Sequence, residues 1–435
     1  MTRRRLTRRS LLAALGATAA TAGCSAPATT PRTTKRPPAA SDGSGGDGSG
    51  NGTTTAPTIS LAAGAAWTTY GYEPGHTGYN PDAAGVGTDP SQVWGSYVEG
   101  IYTLREPAVA DGRVYVGSDQ VMWAFDAATG ESAWQTDLGA MAHHFPPTHR
   151  DGTLYTVSKS SGGVNNGAPG SVTALDPASG DARWRTSLPV TSTVTHDGDR
   201  LYVATKAGGQ GHVQALAPGD GAKDWRFTVP DAPRSTITGA PAYADGTLYV
   251  PATHLANDGS KSGAVYALDP ATGDVDWTVP TAGALHVAPV VADGRVHVAA
   301  RDGTVHALTP DGETDWTANA GHRAYSKPTY ANGRLFVLTT RPIVAYGDGG
   351  DELWRAASDR TQMSGMTAAN SALYVGGEPL FGLDAATGDV RFDLPVDVYH
   401  GAYGAPVVAD DVLYAGVCIK DEAGVKYDNY VRAWV

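Results

Sequence analysis

The side chains of this 435-residue sequence that could bind a ligand lie in short segments that interrupt runs of Ala, Val, Gly and Thr. They are aromatic, arginine and histidine residues with one glutamate: Tyr102, Arg105, Glu106, His143, His144, Arg234, His286, His322, Arg323, Tyr325, Arg360, Tyr399, His400 and Tyr403. Aromatic rings and guanidinium groups gathered on one surface suit recognition of a peptide, a glycan or a small ligand. The alternative is that these side chains only bond the backbone of irregular loops.

Motifs for metal binding and catalysis are poorly represented. His143 and His144, with His149 nearby, could offer imidazole ligands to zinc, but no second ligand pattern accompanies them, so a solvent-facing pair is the simpler interpretation. The sequence contains no Asp-x-Asp-x-Asp-Gly calcium loop, no Gly-rich phosphate loop and no Gly-x-Ser-x-Gly elbow. Cys418 lies in an apolar run and is expected to be a small buried hydrophobe. The sequence therefore predicts no catalytic, cofactor-binding or metal-binding residue.

A unit that recurs about every forty residues must position these segments. Each unit ends in an aromatic residue, and the series is Trp134, Trp184, Trp225, Trp277, Trp316, Trp354 and Phe392. Within a unit, apolar and polar residues alternate with period two, as in residues 113–116, which is typical of half-buried strands. The repeat predicts an all-β fold of four-stranded antiparallel blades arranged as a β-propeller.

Two turns are predicted in each unit from local chemistry. The first is a two-residue hairpin of Asp-Gly or Asn-Gly, residue types that tolerate positive φ, at 111–112, 151–152, 197–198, 245–246, 293–294 and 332–333. The second follows the pattern Asp-x-x-Thr/Ser-Gly, where the Asp side chain bonds backbone amides. Two insertions, 158–170 and 252–262, lengthen the loop between the second and third strands and are expected on the same face as the loops that join one blade to the next.

The two ends of the repeat predict how the ring closes. The eighth unit stops at Val435 without an outermost strand, and that strand is present at the front of the repeat as Gln92-Val93-Trp94-Gly95. Pairing the two would remove an open sheet edge. We therefore expect eight blades within residues 61–435, with Trp94 as the eighth closing aromatic.

Charge limits the partners of this domain. Residues 61–435 contain 24 basic and 42 acidic residues, which leaves a net charge of −18. Nucleic acid and anionic membranes require a basic face, so neither is an expected partner of the propeller. The low lysine content and the acidic surface are similar to those of proteins from salt-loving archaea; an acidic mesophilic protein is the alternative.

The first 60 residues predict export and anchoring. Arg8 and Arg9 precede the apolar stretch 11–22 in a pattern similar to a twin-arginine signal, and Thr21-Ala22-Gly23-Cys24 is similar to a lipobox in which Cys24 would be lipidated. Residues 25–60 are rich in Thr, Gly, Ser and Pro and have too few apolar groups to fold, so they are expected to form a tether. Asn51 begins a motif that fits N-glycosylation. The predicted location is the extracellular face of the cell membrane, through a lipid anchor.

The segment Ala-Leu-Asp-Pro-Ala-Thr-Gly-Asp-Val-Asp-Trp at 267–277 resembles the tryptophan docking motif of propellers with pyrroloquinoline quinone (PQQ)-like repeats. The resemblance covers residues 93–435, and it implies that each outer-strand Trp packs between neighbouring blades. Residues 67–79 also resemble the lead-in of exported archaeal members. Family enzymes hold PQQ over calcium in the central channel and typically use an adjacent cysteine pair, which this sequence lacks.

In its length, its predicted lipid anchor and its number of blades, this chain resembles another relative more than it resembles those enzymes. That relative is the propeller lipoprotein of the outer-membrane β-barrel assembly machinery. The resemblance thus implies a noncatalytic lipoprotein that binds a protein or another extracellular ligand on its loop face. The alternative is a redox enzyme that uses PQQ and calcium in the channel. A hydrolase is a weaker third hypothesis, because no carboxylate pair stands out.

Overall fold

The computed structural model describes residues 59–62, 66–100, 104–139, 145–159, 170–230, 233–356, 361–394, 404–420 and 427–435. These residues form strands and turns without a helix, in eight four-stranded blades arranged in a ring. The eight-bladed β-propeller predicted from the repeat is confirmed. Within the described ranges there is no helix long and apolar enough to cross a membrane. The predicted signal, lipobox and tether fall outside these ranges, except for residues 59 and 60.

Two strands precede the first complete blade, β1 (Tyr79–Asn80) and β2 (Gln92–Val98). Blade 1 consists of β3 (Ala108–Ala110), β4 (Arg113–Ser118), β5 (Val121–Asp126) and β6 (Ser132–Asp137). Blade 2 consists of β7 (Thr148–Arg150), β8 (Thr153–Ser158), β9 (Gly170–Leu175) and β10 (Ala182–Leu188). Blade 3 consists of β11 (Thr195–His196), β12 (Leu201–Ala207), β13 (Gln210–Leu216) and β14 (Lys223–Thr228). Blade 4 consists of β16 (Ala242–Ala244), β17 (Thr247–Leu255), β18 (Lys261–Leu268) and β19 (Val275–Thr281), and an additional short strand, β15 (Arg234–Thr236), pairs with the far end of β17.

The second half of the ring repeats the pattern. Blade 5 consists of β20 (Val290–Ala292), β21 (Arg295–Ala299), β22 (Thr304–Leu308) and β23 (Thr314–Asn319). Blade 6 consists of β24 (Thr329–Ala331), β25 (Arg334–Leu338), β26 (Ile343–Tyr346) and β27 (Glu352–Ala356). Blade 7 consists of β28 (Thr361–Ala369), β29 (Ala372–Glu378), β30 (Leu380–Asp384) and β31 (Val390–Leu394). Blade 8 consists of β32 (Val407–Ala409), β33 (Val412–Lys420), β34 (Tyr427–Trp434) and β2.

The ring closes where the sequence predicts. Strand β2 pairs antiparallel with β34, so that Trp94 lies opposite Ala433, and Ser91 and Val435 exchange backbone hydrogen bonds of 2.9 and 3.1 Å. Trp94 also donates from its indole N–H to the carbonyl of Ala127 in blade 1 at 3.0 Å. Blade 8 is therefore completed by the N-terminal strand and is joined to blade 1 by Trp94, which leaves no open edge at the seam.

The closing aromatics connect neighbouring blades. The indole N–H groups of Trp134, Trp184, Trp225, Trp277 and Trp354 each donate to a carbonyl in the second turn of the next blade. The glycine of that turn lies under the ring, as Gly273 does under Trp225. Trp316 packs in the same way over Gly350, without an indole hydrogen bond among the described residues. The tryptophans thus have the structural role that the resemblance implies.

The turn predictions are confirmed with one correction. Asp or Asn at 111, 151, 245, 293 and 332 and the Gly after each have positive φ, as a tight hairpin needs. At 197–198 the two-residue turn is wrong, because a four-residue connection, 197–200, joins β11 to β12. There Asp197 Oδ1 accepts from the backbone N–H groups of Asp199 and Arg200, an arrangement that stabilises a longer loop. In the second turn, Asp126 Oδ1 accepts from the N–H groups of Ala128 and Thr129, as predicted.

Candidate binding site

The lead-in, residues 66–80, crosses the central channel and contacts the inner part of all eight blades. Its backbone exchanges two hydrogen bonds with Val109 of blade 1 and accepts from His149, Tyr243, Val291, Tyr330 and Ala368 of blades 2, 4, 5, 6 and 7. His76 Nε2 lies 3.3 Å from Thr195 Oγ1 of blade 3, and Asn80 Nδ2 donates to the carbonyl of Val408 in blade 8. Because Trp67 and His76 are completely buried, the lead-in is part of the core. It forms the floor of the channel.

Above this floor the channel opens as a funnel with a cavity of about 230 Å³. Seven blades contribute the segment that precedes their inner strand, blade 7 contributes residues 364–366 within β28, and the lead-in contributes Tyr70. The lining residues are Tyr70, Arg105, Glu106, Phe145, Pro146, Ser192, Thr193, Thr238, Gly239, Ala240, His286, Val287, Ala288, Tyr325, Ser326, Lys327, Ser364, Gly365, Met366, Gly404 and Ala405. The funnel is therefore a blind pocket on the face of the joining loops.

Glu106, in the wall of the funnel, forms hydrogen bonds with the lead-in that makes up its floor. It is buried, and its Oε1 accepts hydrogen bonds from Trp67 Nε1 at 2.9 Å and from the backbone N–H of Gly71 at 2.8 Å. Burial raises the pKa of Glu106, and the charge of Lys327 and these two hydrogen bonds oppose that shift. Glu106, predicted as a ligand-binding residue, thus lines the funnel but uses its carboxylate to hold the lead-in.

Lys327 lies in the same buried layer and was not recognised from the sequence. Only 3% of the residue is exposed, and its Nζ has no hydrogen-bond partner among the described residues. The ammonium lies 5.6 Å from the ring centre of Tyr70, within the range of a cation–π contact. Burial lowers the pKa of Lys327, and the charges of Glu106 and Glu73 oppose the shift. A single lysine beside a serine carries no pattern by which sequence reasoning could have selected it.

His286 also lines the funnel. Its Nδ1 lies 3.4 Å from Thr238 Oγ1, while its buried Nε2 has no hydrogen-bond partner in the described part of the chain. Burial lowers the pKa of His286, and the positive charges of Arg301, Lys261 and Arg323 lower it further. The ring is therefore neutral at pH 7, and three basic side chains lie near this side of the funnel.

The structure brings together four of the fourteen predicted binding residues. Arg105, Glu106, His286 and Tyr325 line the funnel, and the Tyr325 residue is half exposed. Arg234, His322 and Arg323 are described but do not line it. The remaining seven, Tyr102, His143, His144, Arg360, Tyr399, His400 and Tyr403, lie outside the described residues. The predicted binding role of all fourteen stays a prediction.

One insertion has a described structure. Within 252–262, strands β17 and β18 extend as a long hairpin, with residues 256–260 between them, and β15 pairs with the extended end of β17. This hairpin carries Lys261, whose charge acts on His286. The other insertion is described at its ends, 158–159 and 170.

Within the described ranges, no group of three or more His, Cys, Asp or Glu residues could hold a metal ion. His149 Nε2 lies 3.1 Å from Asp111 Oδ2, and its ring stacks on Tyr115 of the neighbouring blade. Cys418 is buried, and burial raises the pKa of its thiol to about 11. The contacts of His149 and the burial of Cys418 are those of residues with a structural role.

The fold and the blind funnel define the class: a quinoprotein-type eight-bladed β-propeller whose channel is closed on one side by its own N-terminal segment. A family model described as outer membrane protein assembly factor BamB matches residues 88–164, 168–252 and 261–346. These segments make up more than half of the chain, so the chain belongs to this family.

Similar proteins include both BamB proteins and quinone-dependent enzymes. The outer membrane protein assembly factor BamB of Yersinia pestis is 28% identical over 352 residues, which cover 74% of this chain and 86% of that protein. The crystal structure of BamB from Moraxella catarrhalis has a TM-score of 0.58 at 17% identity, covering 80% of this chain and 99% of that one. The crystal structure of quinohemoprotein alcohol dehydrogenase from Comamonas testosteroni has a TM-score of 0.69 at 15% identity. The match covers 86% of this chain and 81% of that one. The two structural similarities show the fold alone.

The funnel residues do not suit a quinone held by calcium. Calcium takes about six to eight oxygen ligands, whereas Glu106 is the one carboxylate among the lining residues. Its Oε1 already accepts two hydrogen bonds, and the buried ammonium of Lys327 lies in the same layer. A cation in this position would be repelled by Lys327.

Proposed function

We propose that this chain is an exported, lipid-anchored and noncatalytic propeller that binds a protein partner at the face on which the funnel opens. The observation that carries the proposal is the funnel itself: a blind pocket lined by all eight blades, with a half-exposed aromatic residue, Tyr325, at its rim. Exposed aromatic and arginine side chains around a pocket are the residue types that most often dominate the binding energy of protein interfaces.

Membership of the BamB family supports a protein partner. The family description and the name of the Yersinia pestis relative both refer to a factor in the assembly of outer membrane proteins. We infer a corresponding scaffold role for this chain in its own envelope, without catalysis. The lining of the funnel supports this proposal over the PQQ-dependent alternative, because its single carboxylate already holds the lead-in.

The location follows from the leader. Export through the Arg8-Arg9 signal and lipidation of Cys24 would place the propeller on the extracellular side of the cell membrane, at the end of the tether. Replacement of Cys24 by Ser should move the protein from the membrane fraction to the soluble exported fraction. Unchanged fractionation of the Cys24→Ser variant would contradict the anchor.

The partner-binding face can be tested by crosslinking the full-length anchored protein in intact cells and identifying the proteins captured. Tyr325→Ala together with Arg323→Ala should reduce capture of the specific partner at least fivefold, since both side chains belong to the funnel face. A matched control, Val275→Ala with Leu353→Ala, removes two exposed apolar side chains from outer strands and should leave capture unchanged. Equal loss in both double variants would contradict the assignment of the face.

The alternative, a PQQ-dependent redox enzyme, can be tested by a separate measurement. Purified protein mixed with PQQ and calcium should show neither bound-cofactor absorbance nor alcohol-dependent dye reduction. A stoichiometric quinone spectrum with dye reduction would replace the scaffold proposal by the enzymatic one.

A further inference from the structure

The turns of the propeller collect acidic residues on the face opposite the funnel. Each joining loop enters a first strand from the funnel face, so the hairpin after that strand lies at the opposite end of the blade, and the second turn lies there too. Asp111 and Asp126 occupy these two turns in blade 1, and Asp245 and Asp269 occupy them in blade 4. The repeat thus places much of the negative charge of the domain at this face.

Basic residues at the acidic face are already paired. Arg150, Arg200 and Arg295 lie next to the first turns of their blades, and each forms an ion pair of 2.7–2.8 Å with an aspartate. Arg183 pairs with Asp176 of a second turn at 2.8 Å. A ligand that approaches this face therefore meets acidic side chains in excess.

The funnel face carries basic residues without such partners. Lys261 begins β18 of blade 4, Arg301 lies in the turn between β21 and β22 of blade 5, and Arg323 lies in the joining loop between blades 5 and 6. All three residues are exposed. None of them forms an ion pair within 4.0 Å with a carboxylate of the described residues. Their charges are therefore available to a ligand in solution.

Backbone packing holds Lys261 and Arg301 on either side of one joining loop, the loop between blades 4 and 5. The backbone N–H of Arg301 donates to the carbonyl of Ala284 in that loop at 3.0 Å. Gly263, two residues after Lys261, packs against the same loop, because a Cβ on it would lie 2.6 Å from the carbonyl oxygen of Gly283. The two cations are therefore positioned by strands and a turn of the ring.

Arg323 continues this arrangement towards blade 6. The turn that carries Arg301 packs on the next joining loop, where a Cβ on Gly303 would lie 2.9 Å from the backbone of the residue before Arg323. The charges of both arginines and of Lys261 lower the pKa of His286, which lines the funnel. The three cations thus follow one another along the mouth of the funnel from blade 4 to blade 6, and we call them the basic arc.

The carboxylates nearest in sequence to the basic arc bond to their own turns. Asp302 Oδ1 accepts from the backbone N–H of Thr304 at 2.9 Å. Asp258 Oδ1 accepts from the backbone N–H and the hydroxyl of Ser260 at 2.9 and 2.7 Å. The arc therefore keeps an excess of positive charge in a domain whose net charge is −18.

We propose that the basic arc binds an acidic segment of the protein partner, whose Asp and Glu side chains pair with Lys261, Arg301 and Arg323. Guanidinium groups bind carboxylates with two parallel hydrogen bonds, which gives such pairs direction as well as charge. Tyr325, two residues after Arg323, is half exposed at the rim of the funnel and offers an aromatic surface to the same segment. This inference rests on the proposed function and names the chemistry by which the partner would be recognised.

The charge of the domain favours a short acidic segment over a larger polyanion. A segment of a few residues contacts the basic arc alone. A nucleic acid or an anionic membrane extends further and is repelled by the acidic residues of the rest of the domain.

The test uses the full-length Cys24→Ser protein, without the predicted lipid, and four probes in isothermal titration calorimetry. In 0.15 M KCl the Debye length is about 8 Å, so the acidic face, about 20 Å away along the strands, is screened. The probes are the acetylated and amidated peptide Glu-Asp-Tyr-Glu-Asp-Gly-Glu-Asp, the same peptide with Gln and Asn for Glu and Asp, a thymidine dodecamer, and vesicles of equal parts phosphatidylglycerol and phosphatidylcholine. We expect the acidic peptide to bind at least tenfold more tightly than each of the others. Equal affinity of the two peptides, or no binding of the acidic one, would overturn the proposal; tighter binding of the dodecamer or the vesicles would do so as well.

Variants locate the site. The triple variant Lys261→Gln, Arg301→Gln and Arg323→Gln should weaken binding of the acidic peptide at least tenfold and keep its fold, since the three side chains are exposed. A matched control with the same net charge removes three exposed cations from the outer strands β10 and β14 and should bind within twofold of the original: Arg185→Gln, Lys223→Gln and Arg226→Gln. Arg301→Lys with Arg323→Lys, which keeps both charges, should retain the preference for the acidic peptide. Normal binding by the first triple variant, or equal loss in both, would sink the assignment.

The two proposals can fail separately. If the acidic peptide does not bind but the Tyr325 and Arg323 double variant still loses the crosslinked partner, the acidic segment is wrong and the partner-binding face stands. If the acidic peptide binds through the basic arc but no partner is captured, the site stands and the scaffold role fails.

Discussion

At the scale of single residues, three histidines are held neutral by the fold. Burial lowers the pKa of His76 to about 3 and those of His196 and His297 to about 4, and the positive charge of a neighbouring basic residue adds to the shift in each. His297 stacks on Tyr330 of the next blade at 5.3 Å and packs against Trp316 at 5.8 Å. The imidazole therefore acts as an aromatic spacer between blades 5 and 6.

The lowered pKa of His297 makes the stability of the domain depend on pH. In the unfolded chain His297 takes up a proton near pH 6.5, but in the folded chain only near pH 4, so the unfolded state binds more protons between these values. Stability present at neutral pH is thus lost as the pH falls from about 6.5 to 4. For His297 the loss is on the order of 3 kcal/mol.

Replacement of His297 by Phe should keep the stacking and remove the titration. We expect the variant to be at least as stable as the original at pH 7 and to lose less free energy of unfolding at pH 4.5, as measured by urea unfolding at several pH values. His322→Phe makes the same substitution at an exposed residue and is the matched control. An unchanged slope in His297→Phe would show that the titration of this residue does not contribute.

At the scale of elements, the contact between a tryptophan and the glycine of the next blade is the repeated joint of the ring. Gly273 has a φ of 77°, and a Cβ on it would lie 2.5 Å from Trp225 Cε3. Gly246 has a similar φ of 82°, but a Cβ there would meet no atom within 4 Å. Substitutions at these two glycines therefore separate the cost of backbone strain from the cost of disrupting the contact with Trp225.

Gly246→Ala should cost about 1 kcal/mol, from the left-handed conformation alone. Gly273→Ala should cost that amount and roughly 1–3 kcal/mol more, because overpacking forces the Trp225 ring away from the turn. Urea unfolding of the two variants measures the difference. Equal losses would mean that the indole does not depend on the close approach of Gly273.

The one exception to the tryptophan series has a physical reason. Phe392 faces blade 8, where the third and fourth strands, β34 and β2, come from opposite ends of the chain. The Asp-x-x-Thr-Gly turn that accepts an indole N–H elsewhere is replaced there by the pairing of Ser91 with Val435. An aromatic ring without an N–H donor is therefore sufficient at position 392 to pack against blade 8. Phe392 lies in the apolar cluster that includes Trp434 and Leu413.

At the scale of the whole molecule, the domain carries a net charge of −18, and self-repulsion of this size opposes compaction. We expect the melting temperature to rise as KCl is increased from 0.05 M to about 1 M, where the Debye length falls to about 3 Å. Circular dichroism melts measure the effect. NaCl should act in the same way if screening is the cause; a rise that differs between the two cations, or no rise, would contradict this explanation.

Much of the fold follows from local patterns in the sequence. Strand alternation, the Asp-Gly and Asp-x-x-Thr-Gly turns and the closing aromatics act over neighbouring residues, and each copy reinforces the others. The missing outer strand of blade 8 could be matched to residues 92–95 because an unpaired edge needs a partner. The turn at 197–200 was mispredicted because a four-residue loop and a two-residue hairpin can share the same Asp-Gly pair.

The site could be predicted only in part. The sequence by itself determined the propeller, its closure and the face that carries the joining loops, and hence placed Arg105, Glu106, His286 and Tyr325 near the channel. Only the tertiary structure decided that the lead-in closes the channel, that Glu106 holds the lead-in, and that Lys327 is buried without a hydrogen-bond partner among the described residues. These features depend on contacts between residues as distant in sequence as Gly78 and Lys327, and such contacts leave no periodic trace in a chain whose local pattern describes strands and turns.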